Sequence, residues 1–268
     1  MHTWVIDEFM EDRNSFLQGT ILLEDAVQLL GYDLIRTKYI PFSEKSEVNL
    51  PEGLTKVIAH GTIGFLRLFQ KKYPNLNPGG FYETPKFSTQ HCLDTYKDLM
   101  LNYKGTVPNG VFPRKDMPNI LPFLIEKYGP LHVRPNGVGK SFTGSVVGTH
   151  TFPVNSFSKD ENEMIFCSSV VDILGEYRFV CSDSEIISGS QYRYERKLDQ
   201  RKDIHPAAQR FVKEFVSNNI GPDSVYVIDV AVLEDESAKI IEFNNFSNCG
   251  LYMCDRVKIV ETITRKVS

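Results

Sequence analysis

Tryptophan is almost missing from this chain, with Trp4 alone, and no apolar run reaches 18 residues. Without such a run, no membrane-spanning helix is expected. Met1 to Phe16 carries Asp7, Glu8, Glu11 and Asp12 and lacks a basic n-region and an apolar h-region, so no signal peptide is expected there. Cysteine is scarce and odd in number: Cys92, Cys167, Cys181, Cys249 and Cys254, with no C-x-x-C pair. That pattern argues against a disulfide framework or a zinc site and predicts reduced thiols in a cytoplasmic protein. The Asn245-Phe246-Ser247 sequon is then a chance match. His60, His91, His132, His150 and His205 lack metal-ligand spacing. A basic excess is absent too: the formal net charge is −4, which disfavours sequence-independent nucleic-acid binding. There is no internal repeat, no low-complexity tract and no Ser-His-Asp or Cys-His signature of covalent catalysis.

What is present fits a globular chain. Its 268 residues suffice for one large domain or two to three subdomains. The first third reads β-α-β: strands at Trp4–Ile6, Tyr32–Ile40 and Val57–Ala59, helices at Thr20–Leu30 and Gly64–Tyr73, and a Pro/Asn/Gly-rich loop from Pro74 to Gly80. That order predicts a partly parallel sheet. Helices follow at His91–Leu101 and Pro118–Tyr128. The strands Leu131–Pro135 and Phe142–Val147 would then form a hairpin across Asn136-Gly137-Val138-Gly139-Lys140. Further strands are expected at Met164–Cys167, Glu176–Cys181, Glu185–Gln191, Ser224–Val232 and Lys239–Asn244, with a helix over His205–Asn218.

Chemistry concentrates near the C-terminus. Val227, Asp229 and Ala231 share one face of an otherwise apolar strand, and Glu242 and Asn244, two apart, share a face of the next. A carboxylate in such a strand is costly to bury unless it is paired or ligates a metal. If the two strands pair, Asp229, Glu242 and Asn244 converge. Two carboxylates and an amide oxygen suit magnesium, which completes its shell with phosphate and water. A nucleoside triphosphate is the natural partner; a solvated hairpin face that happens to carry acids is the alternative.

At these residues the sequence resembles the ATP-grasp superfamily, in which an Asp on one strand precedes Glu-x-Asn on the next: here Asp229, then Glu242-Phe243-Asn244. Asn245 and Asn248-Cys249-Gly250-Leu251-Tyr252 look like that family's turn after the metal strand. Arg134-Pro135 and Lys140-Ser141-Phe142-Thr143-Gly144 look like its lid hairpin and phosphate loop. Glu176-Tyr177-Arg178-Phe179-Val180, followed by Ser190-Gln191-Tyr192, looks like the clade named for two arginines and a lysine. The likeness covers roughly Leu131 to Tyr252, and the order of the motifs carries it. One departure is Arg134, where a nucleotide-binding lysine is usual; arginine keeps the charge but not the geometry.

The resemblance implies an α+β / α/β architecture: an ATP-grasp fold of two α+β subdomains clasping the nucleotide, after a small α/β pre-ATP-grasp domain. The expected divisions are 1–85, a lid at 86–166 and a metal-bearing subdomain at 167–268. It implies ATP and Mg2+ as cofactors, Arg134 and Lys140 on phosphate oxygens, and Ser168, Ser169 and Val170 as the adenine-pairing connection. It also implies Glu176 and Arg178 at the nucleotide, Arg178 and Lys140 as catalytic groups, and Asp229, Glu242 and Asn244 as metal ligands. The residues themselves leave other options open. Gly137 and Gly139 could form a plain turn, Ser168–Val170 an ordinary strand end, and Arg178 could pair with Glu176 or Asp229. A Walker A loop is rejected because Arg134 stands where its first glycine belongs. Tyr192 to Lys202 reads as a loop or solvated helix face in which Tyr192, Arg193, Arg196 and Lys197 could meet an anionic second substrate. The implied activity is a carboxylate–amine ligase acting through an acyl phosphate, on an amino acid, peptide or protein. A nucleic-acid-directed ligase or phosphotransferase and an inactive nucleotide-binding protein are the alternatives.

Overall fold

The computed structural model describes residues 2–8, 19–40, 48–82, 84–103, 110–137, 141–148 and 160–267. Strand β1 (Thr3–Asp7) is buried along its whole length. It lies between β2 (Asp33–Thr37) and β3 (Lys56–His60), and β4 (Asn77–Gly79) completes a parallel sheet in the order β2-β1-β3-β4. Parallel neighbours need crossovers; α1 (Leu23–Leu29) and α2 (Ile63–Lys72) supply two of them. Thr62 caps α2, its hydroxyl accepting from the Phe65 amide and donating to Asp7 at the end of β1 at 2.7 Å. The segment 74–80, expected as a loop, contains β4. An edge strand tolerates Pro78 because one of its sides makes no ladder bonds.

The second sheet has the order β5-β8-β6-β7 and is antiparallel: β5 (Gly110–Pro113), β6 (Leu131–Pro135), β7 (Ser145–Val147) and β8 (Met164–Ser169). Helix α3 (Thr89–Tyr96) precedes it and α4 (Met117–Tyr128) backs it. Met117, Leu121, Leu124 and Ile125 recur at helical spacing and pack on Leu131, Val133, Ile165 and Cys167. Strand alternation therefore turns His132 and Arg134 to the opposite face.

The third sheet runs β11-β10-β9-β12-β13 and is antiparallel: β9 (Gly175–Ser182), β10 (Glu185–Tyr194), β11 (Lys197–Arg201), β12 (Val225–Val232) and β13 (Ala238–Asn245). Tyr177, Phe179, Ile228, Val230, Ile240 and Phe243 form one face, covered by α5 (Pro206–Asn218) and by α3. Helix α3 precedes the second sheet in sequence yet packs on this third sheet, the base. On the opposite face, Val180, Ile187, Val225 and Val227 meet α6 (Arg256–Lys266), which also packs on Trp4, Leu23 and Val27 of the first unit. Each such side chain, fully buried, contributes roughly 1.5–3 kcal/mol. Trp4 adds a hydrogen bond, Nε1 to Thr264 Oγ1 at 3.0 Å. The rest of this face carries the polar side chains of Arg178, Asp229 and Asn244, which are buried.

Residues 192–202, expected as a loop or helix face, are a hairpin. Glu195 and Arg196 both adopt positive φ, 45° and 65°, and Tyr194 pairs with Lys197. Such a two-residue turn usually announces itself with Asn-Gly or Asp-Gly; Glu-Arg gives no such signal. Helix α6, to which the sequence reading assigned nothing, is capped by the Asp255 side chain. No helix among the described residues is long and apolar enough to cross a membrane.

Candidate functional site

This polar strip of the base sheet carries a row of charge. Arg178 on β9 pairs in register with Asp229 on β12, which pairs with Glu242 on β13. Directly paired residues point to the same face, so the three lie side by side. A β-bulge just before Glu242 keeps this geometry. The register shifts between Asp229 and Val230, so Ile241 is an extra residue on β13. Ile240 and Phe243, three apart, thus both reach the core, while Glu242 and Asn244 both face the strip.

Asp229 is only 1% exposed, and Arg178 meets it with two hydrogen bonds, Nε to Oδ1 at 2.8 Å and Nη2 to Oδ2 at 2.6 Å. This is the partner option left open by the sequence. Arg178 Nη1 donates to the Gly250 carbonyl at 2.8 Å, and the Tyr252 and Tyr192 rings lie 4.8 and 5.7 Å from its guanidinium carbon. Burial works against its charge; the Asp229 carboxylate and its hydrogen bonds outweigh that and hold its pKa well above the usual arginine value. Asn244 Nδ2 donates to Asp229 Oδ2 at 3.2 Å and to Glu242 Oε1 at 3.0 Å, bridging the two acids.

Across the gap, Arg134 reaches over from the lid. Its Nη1 donates to Glu242 Oε2 at 3.1 Å, and its Nε and Nη2 donate to Thr89 Oγ1 at 3.0 and 2.6 Å. Two cavities flank it. One, of about 260 Å³, is lined by Thr89, Arg134, Gly144, Glu242, Asn244 and Asn248 among others. The other, of about 430 Å³, is lined by Val146, Val171, Ile173 and Ile241 and by the charged Glu176, Arg193 and Arg196, among others. Arg134 and Gly144 belong to both. His132, on the wall of the larger cavity, has its pKa lowered to about 4 by burial and by Arg134, and is neutral at physiological pH. A Cβ at Gly144 would stand 2.9 Å from His132 Nε2, so a side chain there would displace the imidazole.

The expected residues therefore divide. Arg134, Ser169, Val170, Glu176, Arg193 and Arg196 line the larger cavity, and Arg134, Glu242 and Asn244 the smaller. Asp229 and Arg178 line neither; they are locked to each other beneath. Ser168 is fully buried, Tyr192 sits under Arg178, and Lys197 is exposed away from both cavities. Lys140 and Gly139 lie outside the described residues. The sequence reading missed Thr89 and Ile241, placed Asn248 in the turn after the metal strand without a role, and found in His132 only a lack of metal-ligand spacing; for His132 the signal was its two-residue spacing from Arg134 on β6. No group of three His, Cys, Asp or Glu side chains among the described residues could hold a metal. Magnesium nevertheless fits the oxygen chemistry of Glu242 and Asn244 on the smaller cavity, since this ion keeps phosphate and water in its shell.

A family model described as an ATP-grasp domain, family 2 of the clade named for two arginines and a lysine, matches residues 120–262. No curated protein matches the sequence. Solved structures match along the whole chain. D-cycloserine synthetase DcsG is similar with a TM-score of 0.60 at 10% identity, over 100% of both chains. D-alanyl-alanine synthetase A from Vibrio cholerae O1 biovar eltor reaches 0.60 at 12% identity, over 100% of this chain and 98% of that one. ATP-grasp ligase PsnB, complexed with minimal precursor, Mg and ADP, reaches 0.50 at 10% identity, over 100% and 97%. At such identities the likeness shows the fold, and it is the ATP-grasp fold expected from the motifs.

Proposed function

From the premise that the chain belongs to the ATP-grasp domains, in family 2 of the two-arginine, one-lysine clade, we propose that it is an ATP- and magnesium-dependent carboxylate–amine ligase. The observation that carries this reading is the pair of cavities joined at Arg134. An apolar pocket edged by strand-end backbone suits a purine base; a polar one beside it, with a cation and two oxygen donors, suits phosphates.

Adenine would lie between Val146, Val171, Ile173 and Ile241, against the connection Ser169–Val171. Arg134 would hold phosphate oxygens where the cavities meet, and Lys140 would join it from the phosphate loop. Glu242 and Asn244 would hold magnesium, whose charge, when bound, offsets that of the phosphates. Arg178 is a positioning residue in this reading: it fixes Asp229, and through Asn244 the Glu242 carboxylate. The substrate carboxylate attacks the γ-phosphorus of ATP and ADP leaves; the amine then attacks the acyl carbon, orthophosphate leaves and the amine loses a proton. The lid excludes water from the acyl phosphate. The nucleic-acid-directed alternative has less support, because Arg193, Arg196 and Arg201 already pair with Glu176, Asp172 and Asp199.

The test is ADP release with magnesium across a panel of amino acids and short peptides, with hydroxylamine present to trap an acyl phosphate as its hydroxamate. A carboxylate-dependent hydroxamate supports the ligase. Bound ATP with neither ADP nor hydroxamate from any carboxylate overturns it.

A further inference from the structure

The Arg134 guanidinium has two edges with different partners. Nε and Nη2 both donate to Thr89 Oγ1, at 3.0 and 2.6 Å, while Nη1 donates to Glu242 Oε2 at 3.1 Å and to the Ile241 carbonyl at 3.5 Å. Thr89 is the first residue of α3 and is 4% exposed, yet it lines the smaller cavity. It is not the helix cap: Ser88 fills that role, its hydroxyl accepting from the His91 amide at 3.3 Å. The same turn is stitched to the far end of β6. The Thr89 amide donates to the Asn136 carbonyl at 3.0 Å, and the Gln90 amide to Asn136 Oδ1 at 2.9 Å. Helix α3 itself is rooted in the base through Cys92, Leu93 and Tyr96. A side chain from the lid is thus aimed by a hydroxyl that belongs to the base.

We propose that Thr89 is a positioning residue for nucleotide binding, holding the Arg134 guanidinium by one edge so that the other is presented to phosphate. The proposal rests on the reading of the two cavities as a nucleotide site. A hydroxyl oxygen has two lone pairs and can take both N–H groups at once, which fixes the guanidinium plane as a single acceptor bond could not. The Nη1 edge is the exchangeable one. In the free protein it lies on Glu242, whose side chain is 24% exposed. Were Glu242 to hold a metal, this edge would turn to a phosphate oxygen while Thr89 keeps its aim. The departure from lysine then has a physical sense: an ammonium is a point charge that needs no orienting partner, whereas a planar fork does.

Calorimetric titration of magnesium–ATP and of adenosine into wild type, Thr89→Val, Thr89→Ser, Arg134→Ala and the Thr89→Val/Arg134→Ala double variant tests this. Valine keeps the shape and removes the hydroxyl. Thr89→Val is expected to weaken ATP about tenfold or more, the worth of a hydrogen bond to a charged group. Adenosine affinity should stay the same, Thr89→Ser should restore ATP binding, and the threonine effect should vanish in the Arg134→Ala background. Unchanged ATP affinity in Thr89→Val, or an equal loss with and without Arg134, overturns the proposal. If wild type bound ATP poorly in every condition, the cavity reading itself would fail and the proposal with it.

Discussion

At Asp229 the chain buries a carboxylate and meets both its oxygens with Arg178. Removing one partner of such a pair leaves an uncompensated charge, at a cost of about 3–5 kcal/mol. Asp229→Ala is therefore expected to lower stability by that order in a denaturant titration. Glu242 differs: its side chain is 24% exposed and its partner Arg134 has other acceptors. Glu242→Ala should cost less stability than Asp229→Ala and abolish magnesium-dependent ADP release. Both acids were legible in the sequence because a carboxylate inside an apolar strand stands out. Their difference was not, since it depends on which of them lies opposite Arg178 and which faces the cavity. Thr89 was invisible for a related reason. One threonine at a helix start is ordinary until the fold sets it against an arginine 45 positions later.

Among the elements, β12 and β13 were legible, because alternation and the short turn between them are local signals. The bulge at Ile241 was not, although the spacing of Ile240 and Phe243 encodes it. Deleting Ile241 removes the extra residue and leaves Ile240 and Phe243 on the core face and Glu242 and Asn244 on the strip, in strict alternation. That deletion is expected to keep a cooperative thermal melt while taking the Ile241 side chain from the wall of the larger cavity; loss of the sigmoidal melt would show that Ile241 is needed for the strand pairing. The β10–β11 hairpin escaped the sequence reading because its turn lacks glycine, and helix-like charge density masked a strand pair.

Over the whole molecule, the first unit is fastened to the base next to the site. Gly61 N donates to the Ser247 carbonyl and Phe81 N to Ser247 Oγ, each at 2.8 Å. Beside them His60 packs on Phe246, with ring centroids 5.3 Å apart. Burial lowers the His60 pKa from 6.5 to about 4. The unfolded chain therefore takes up a proton at this residue between pH 6.5 and 4 that the folded chain refuses, and stability falls as pH falls through that window. The full loss from His60 is on the order of 3 kcal/mol. His60→Leu should flatten the decline when denaturant midpoints are compared at about pH 7 and about pH 4.5; an unchanged slope would place the acid sensitivity elsewhere. None of these long-range contacts has a sequence signature. The motif order that marked the fold records the local pieces of the site, and tertiary packing supplies how they meet.

The most direct measurement is calorimetric titration of ATP with and without magnesium into wild type and Glu242→Ala. Wild type is expected to bind ATP more tightly with magnesium than without it, and Glu242→Ala to bind it equally in both. A magnesium enhancement that survives intact in Glu242→Ala would contradict the assignment of the metal and the triphosphate to the cavity between lid and base.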